Sequence, residues 1–199
     1  MNALKIILMS IFLLTGALVF GRQGSPPSTP ANRNAEPTLC EPGSLPLAVQ
    51  SHLREEFGSW RIQEPANLST RAHERWESEK PLACPGIAVG QFENASTPSY
   101  ALLLVSQVHS DARYKFLVFS PKTGQSSYNV RLADSGEIGA ADFFIHGTRI
   151  SKFFDEPSRK KFQAHAVDGI LLVDSAENEY EVAVYFWANG RYQQQFVDY

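Results

Sequence analysis

The histidines and acidic residues are the side chains of this sequence best suited to catalysis or metal binding. His73 and Glu77, in the stretch HERWE, begin like the zinc-binding helix His-Glu-x-x-His, but the second histidine is absent. On a helix these two side chains share one face and supply at most two ligands, whereas a catalytic zinc needs three from the protein. The stretch therefore indicates a solvated helix face with an internal ion pair.

The remaining histidines show no ligand spacing, and no nucleophile motif accompanies them. Asp142 and His146 form a triad only on paper, with Ser151 or His165 as third member. There is no Gly-x-Ser-x-Gly elbow, and the Ser-x-x-Lys at Ser158 lies in a charged stretch, Arg159-Lys160-Lys161, that we interpret as a solvated loop. The sequence therefore predicts no catalytic residue, no metal and no cofactor.

Aromatic residues are concentrated near the end of the chain. Tyr185 and Trp187 alternate along one predicted strand and so share a face, and Tyr192 follows on the next strand. Aromatic residues in strands mostly fill the core and pair across a hairpin. If these three rings are instead exposed, they form a binding platform for a sugar, a peptide or a partner protein.

A polar loop between two apolar stretches resembles a known repeat. The residues AVGQFENASTPSYALLLV, 88–105, are similar to a single FG-GAP repeat of integrin-like β-propellers, with Ala88-Val89-Gly90 as lead-in and Tyr100-Ala101 in the exit strand. The resemblance implies a strand–loop–strand unit and a calcium loop. The positions where that family places Asp are here Gln91, Glu93, Ala95 and Ser99. One carboxylate makes a weak calcium site, so we interpret the loop as a chain turn.

The N-terminus indicates export. Residues 1–21 combine Lys5 with an apolar run too short to span a bilayer, which is typical of a secretory signal, or of an anchor if it is retained. Residues 22–38 are rich in Pro and Ser and predict a disordered linker. Residues 39–199 are long enough for one domain. The net charge of −3 gives this chain no electrostatic affinity for nucleic acid.

The two cysteines of the chain are Cys40 and Cys84. In an exported chain a lone pair predicts one disulfide, with two separate thiols as the alternative. The bridge would close a loop of about 43 residues, for which the chain-entropy relation gives about 4 kcal/mol. It would connect the helical N-terminal part to the first strand after it.

The hydrophobic period changes from helical to strand-like at Pro85. Before it we predict two helices, in GSLPLAVQSHLREEFGSW with Ser44 as cap and in LSTRAHERWESEKP with Pro81 as its end. The short strand WRIQE lies between them. After it we predict nine strands, one of them over 163–167, together with hairpins at Asp168-Gly169 and Asn189-Gly190 and a polar edge strand in SSYNVRL. The fold class is α+β: two N-terminal helices packed on a mainly antiparallel sheet that ends in a C-terminal hairpin.

These features favour a secreted or periplasmic, non-catalytic domain that binds or inhibits a protein or carbohydrate through a sheet face or its loops. Two alternatives stay open: a hydrolase with a dispersed His, Asp and Ser site, and a structural component of the envelope. The hydrolase predicts a pocket where a histidine contacts both an acid and a nucleophile or metal.

Overall fold

This computed structural model describes residues 40–79, 83–107, 113–162, 166–176 and 181–198. All of these residues belong to a unit that spans Glu36–Tyr199. The predicted signal and linker lie outside the described residues, as do His109 and His165.

The first of two antiparallel sheets is built around one long apolar strand. Its strands are β1 Trp60–Ile62, β2 Ile87–Gly90, β3 Ser99–Ser106, β4 Tyr114–Pro121 and β5 Tyr128–Gly136. Their order is β1-β3-β4-β5, and β2 also pairs with β3. Strands β1 and β2 lie along the same edge of β3, because Trp60 is opposite Ser106 and Gly90 is opposite Ser99.

The second sheet is an antiparallel meander of four strands, in this order: β6 Phe143–Arg149, β7 Asp168–Asp174, β8 Glu181–Ala188 and β9 Arg191–Phe196. Its last two strands form the predicted C-terminal hairpin, and both turn residues, Asn189 and Gly190, have positive φ, as a two-residue turn requires.

The main core lies between the two sheets. Leu103 and Phe116 from the first sheet pack with Ile145, Ile170 and Tyr185 from the second. Because side chains alternate across a strand, the apolar residues between these positions point outward and need covers of their own. This explains why β3 and β8, predicted as central strands, are apolar on both faces.

Helices and turns contact the outer faces. The α-helices are α1 Leu47–Glu56, α2 Thr70–Glu79 and α3 Glu156–Phe162. Val49 of α1 belongs to the cluster on the outer face of the first sheet, with Leu102 and Phe119. Trp76 of α2 belongs to the corresponding cluster of the second sheet. The fold is thus broadly α+β, with mainly antiparallel sheets.

Two details of the helix predictions are wrong. The first helix starts at Leu47, after Pro46 in the N-cap position, because Ser44 belongs to a preceding 3-10 turn, Pro42–Ser44. The basic run Arg159–Lys161 is not a loop but part of α3, where Glu156 pairs with Lys160 one turn later. The predicted end of the second helix at Pro81 lies outside the described residues.

Three details of the strand predictions are also wrong. The one predicted sheet is two sheets, because each has an apolar inner face that packs against the other. Asp168-Gly169 is not a turn: both residues are in β7, opposite Arg149 and Thr148. A strand over 163–167 is not formed at 166 and 167, and 163–165 lie outside the described residues. The predicted edge strand is confirmed, since β5 ends its sheet.

Within the described ranges no helix combines the length and hydropathy of a membrane crossing.

Candidate functional site

A groove of about 470 Å³ lies where β2 of one sheet meets β6 of the other. Backbone hydrogen bonds join the sheets beside it, since Ile145 N donates to Pro85 O and Asp168 N donates to Gln91 O. The volume is within the range of small-ligand sites. Its polar and charged lining residues are His146, Thr148, Arg149, Lys152 and Asp168.

His146 is supported from behind by a buried acid. Its Nε2 lies 3.4 Å from Glu79 Oε2, and the two side chains are only 8% and 11% exposed. Glu79 also pairs with Arg75 one turn earlier on α2. Burial alone raises the pKa of Glu79, but His146 and Arg75 outweigh burial, so the pKa is lowered from its ordinary value of 4.5. A carboxylate beneath the imidazole therefore holds the ring in place.

Asp168 closes the other side of the groove. Its Oδ2 accepts a hydrogen bond of 2.9 Å from Gln91 N, and its Oδ1 lies 3.3 Å from Arg149 Nε. Both carboxylate oxygens thus have partners, and the charge of Asp168 is balanced by one guanidinium. Lys152 adds a further cation at the exposed rim. The ionised side chains of the groove leave a positive excess on a protein of net charge −3.

A second groove, of about 450 Å³, lies on the outer face of the first sheet beside α1. It also contains cations, but Lys115 there stands over the rings of Phe57 and Trp60 at 5.7 and 5.1 Å. Its histidine, His52, pairs with Glu56, whose side chain is 62% exposed. Because Glu56 is solvated whereas Glu79 is buried, the histidine of this groove is held less firmly than His146.

Tyr185, the first residue of the predicted aromatic platform, is in the core. It is 2% exposed, and its hydroxyl donates a hydrogen bond of 2.6 Å to Asp134 Oδ2, which also accepts one of 3.1 Å from Tyr114. Burial, and then the hydrogen bond to Asp134, raise the pKa of Tyr185. The core alternative therefore holds for Tyr185, because the second sheet packs this face against the first.

Trp187 and Tyr192, the other platform residues, do come together. Their ring centroids are 5.2 Å apart, and both side chains are half-buried. The Arg131 guanidinium lies 4.4 Å from the Trp187 ring and pairs with Glu93 at 3.0 Å. Burial and the charge of Glu93 raise the pKa of Tyr192. This cluster joins the end of the hairpin to the polar loop.

The polar loop is organised by Asn94, whose Oδ1 accepts hydrogen bonds from the backbone and hydroxyl groups of Ser96 and Thr97. Of the weak calcium candidates, Gln91 donates its backbone N–H to Asp168, Glu93 pairs with Arg131, and Ser99 is buried in β3. Asn94 therefore explains why this polar stretch turns the chain.

The disulfide between Cys40 and Cys84 is formed, with a Cα–Cα distance of 5.0 Å. Both residues are buried under the outer face of the first sheet. The bridge fits an oxidising compartment. Within the described ranges no three or more His, Cys, Asp or Glu residues gather as a metal site would require.

Sequence reasoning missed most of the groove. It paired His146 with Asp142, but the acid beside His146 is Glu79, from a helix far away in the chain. It assigned Asp168 to a turn. His73 does pair with Glu77, at 3.8 Å and exposed, as predicted. The one available signal was the cationic pair Arg149 and Lys152, which follows His146 closely.

Comparison of the chain with protein families, with curated proteins and with solved structures finds no match. The resemblance of residues 88–105 to an FG-GAP repeat therefore stays a prediction.

Proposed function

We propose that this protein is an exported, non-catalytic binding domain that takes a carboxylate-bearing ligand, such as an acidic peptide segment, in the β2–β6 groove. The observation that supports it is the buried Glu79 beneath His146, at 3.4 Å. A buried acid that fixes a histidine on the wall of a cavity is costly to bury and contributes little net stability. Ligand binding in the groove would explain why the protein buries Glu79 beneath His146.

The charges of the groove favour an anionic ligand. Asp168 is committed to Gln91 and Arg149, so it is already compensated. Arg149 is 61% exposed and keeps donors for a second acceptor, because a guanidinium carries five N–H groups. With Lys152 at the rim, two cations can contact one carboxylate group from different sides.

The apolar part of the lining favours a peptide over a bare anion. Ile87, Ala88 and Val89 line the groove next to the cations, and Val89 is 54% exposed. A peptide with an acidic side chain flanked by apolar residues would contact both the cations and the apolar residues of the groove. We also infer that α1 and α2 serve as covers of the two outer sheet faces, so that the groove stands on a rigid frame.

The test is calorimetric titration of the full-length protein with short peptides rich in Glu and Leu, against isosteric peptides with Gln for Glu. We expect binding of the acidic peptides that weakens as salt is added. Lys152→Glu should weaken binding up to about fivefold, since an exposed charge pair contributes up to about 1 kcal/mol. Lys122→Glu makes the same charge change beside the second groove and should leave binding unchanged. Equal binding of Glu and Gln peptides would refute the proposal.

A hydrolase is the second candidate, and the contact of His146 with an acid in a cavity favours it. Its signature is cleavage of a bound peptide or ester over time. We expect no product from the wild type. Turnover that His146→Gln abolishes, with peptide affinity retained, would replace binding by catalysis as the function.

A further inference from the structure

Strand β9 ends the second sheet with an edge that lacks the usual protection. Within the described residues it pairs only with β8. Edge strands normally carry Pro, Lys, a bulge or an inward charge that prevents pairing with another chain. The sequence of β9, Arg-Tyr-Gln-Gln-Gln-Phe, has an uncharged centre, and Phe196 is 60% exposed.

The hydrogen-bond pattern of the hairpin shows which backbone groups point away from β8. Val197 N donates to Val182 O across the pair, so the odd-numbered residues of β9 face β8. Hydrogen-bonded positions alternate in an antiparallel pair. The N–H and C=O groups of Tyr192, Gln194 and Phe196 therefore point to the open edge.

The free edge of β5, in the other sheet, is less suited to pairing. That strand carries charges along its length, Arg131 and Asp134 among them. Its pairing with β4 has a register irregularity between Phe116 and Leu117, which twists a strand locally. Of these two free edges, β9 is therefore the better suited to pairing with another strand.

We propose that β9 docks against β9 of a second copy of this chain, in antiparallel orientation, with the two-fold axis at Gln194. The open positions then pair as Gln194 with Gln194, and Tyr192 with Phe196, so aromatic residues lie opposite each other across the interface. These pairs exchange about six backbone hydrogen bonds, two for each pair. The two sheets continue into one.

Charge complementarity selects a second copy and its direction. Arg191 begins the strand and Asp198 follows its end, both exposed. In the antiparallel dimer the Arg191 end of each strand lies beside the Asp198 end of the other. A parallel arrangement would bring like charges together. Nothing between these ends carries a charge that would repel an identical strand.

The test is the mass of the full-length protein in solution, by light scattering and by sedimentation equilibrium over the micromolar to millimolar range. We expect twice the monomer mass at high concentration. Gln194→Pro removes one outward N–H without touching the pairing with β8, and should give a monomer. Gln194→Ala removes the side chain but keeps that N–H, and should still dimerise.

A covalent measurement covers the case in which Gln194→Pro does not fold. Residues at a hydrogen-bonded pair have Cα atoms about 5.5 Å apart, within disulfide range. Gln194→Cys should therefore oxidise to a linked dimer, whereas Gln193→Cys, opposite Gln195 of the other copy, should not. The proposal would be overturned by a wild type that is monomeric at all concentrations, by a Gln194→Pro variant that still dimerises, or by equal cross-linking at both positions. It would also be overturned if β9 paired only with a different protein.

Discussion

Nε2 of His146, on a strand of the second sheet, lies 3.4 Å from Oε2 of Glu79, at the last position of α2. This contact connects a helix on the outer face of the sandwich to the wall of the β2–β6 groove. It makes the groove dependent on the fold of the N-terminal part, since α2 and β6 are far apart in the chain.

The first prediction concerns acid stability. The pKa of Glu79 is lowered in the folded protein, so its ionised form stabilises the fold above the unfolded-state pKa, and this stabilisation is lost as the pH falls through the folded-state pKa. Unfolding by denaturant at a series of pH values should show wild-type stability falling below the ordinary Glu value of 4.5. Glu79→Gln should show a smaller fall. The exposed Glu56→Gln is the control, and an identical pH profile for Glu79→Gln and wild type would contradict the prediction.

The second prediction concerns the disulfide. Cys40→Ser with Cys84→Ser should lower the free energy of unfolding by about 4 kcal/mol, because the bridge restricts the unfolded chain. Chemical denaturation measures this value, and reduction of the wild type should give a similar loss. An unchanged midpoint in both experiments would show that the packing around Cys40, and not the bridge, holds this segment.

The third prediction concerns Gly86. A Cβ at this position would stand 2.5 Å from Gln63 O and 2.7 Å from Gln63 N, both rigid backbone atoms. Gln63 is itself fixed, because its side chain donates to Ala140 O at 2.7 Å. Gly86→Ala should destabilise the fold by about 1–3 kcal/mol, as overpacking does. Gly43→Ala, which meets open space, is the matched control in thermal unfolding, and equal melting temperatures would contradict the geometry.

The fourth prediction concerns the two tyrosines that share Asp134. Tyr185→Phe should cost about 1–3 kcal/mol, because it removes a short hydrogen bond to a carboxylate within the core. Tyr114→Phe should cost less, since its hydrogen bond is longer. The double variant should deviate from the sum, because both hydroxyls bind one oxygen. Tyr128→Phe, on the outer face of the first sheet, should be nearly neutral. Additive losses in equilibrium unfolding would argue against a shared acceptor.

Local signals accounted for much of the fold. The Asn189-Gly190 turn, the strand at Trp60–Ile62 and the polar edge strand follow from turn chemistry and alternation, which act over a few residues. The Asp168 prediction was wrong because Asp-Gly is a turn signal only where no partner strand competes, and β6 pairs with this segment. The stacking of the two sheets depends on contacts between residues far apart in the chain, and the hydrophobic period of a single strand does not predict such contacts.

The candidate site was less accessible to sequence reasoning for the same reason. Glu79, His146 and Asp168 come from three elements that meet only after the sheets stack. Tyr185 carried the right chemistry for a platform, but alternation assigns it to a face without saying whether that face is covered. The Tyr185 hydroxyl binds Asp134 on β5, and no residue near Tyr185 in the chain predicts this partner.

Ligand binding in the β2–β6 groove is tested most directly by an amide NMR titration of the full-length protein with an acidic Glu–Leu peptide. We expect chemical-shift changes at Val89, Gly147, Thr148 and Lys152, and none at Lys122 or Tyr128 of the second groove. Shifts confined to the second groove, or the same shifts with the Gln–Leu peptide, would contradict it.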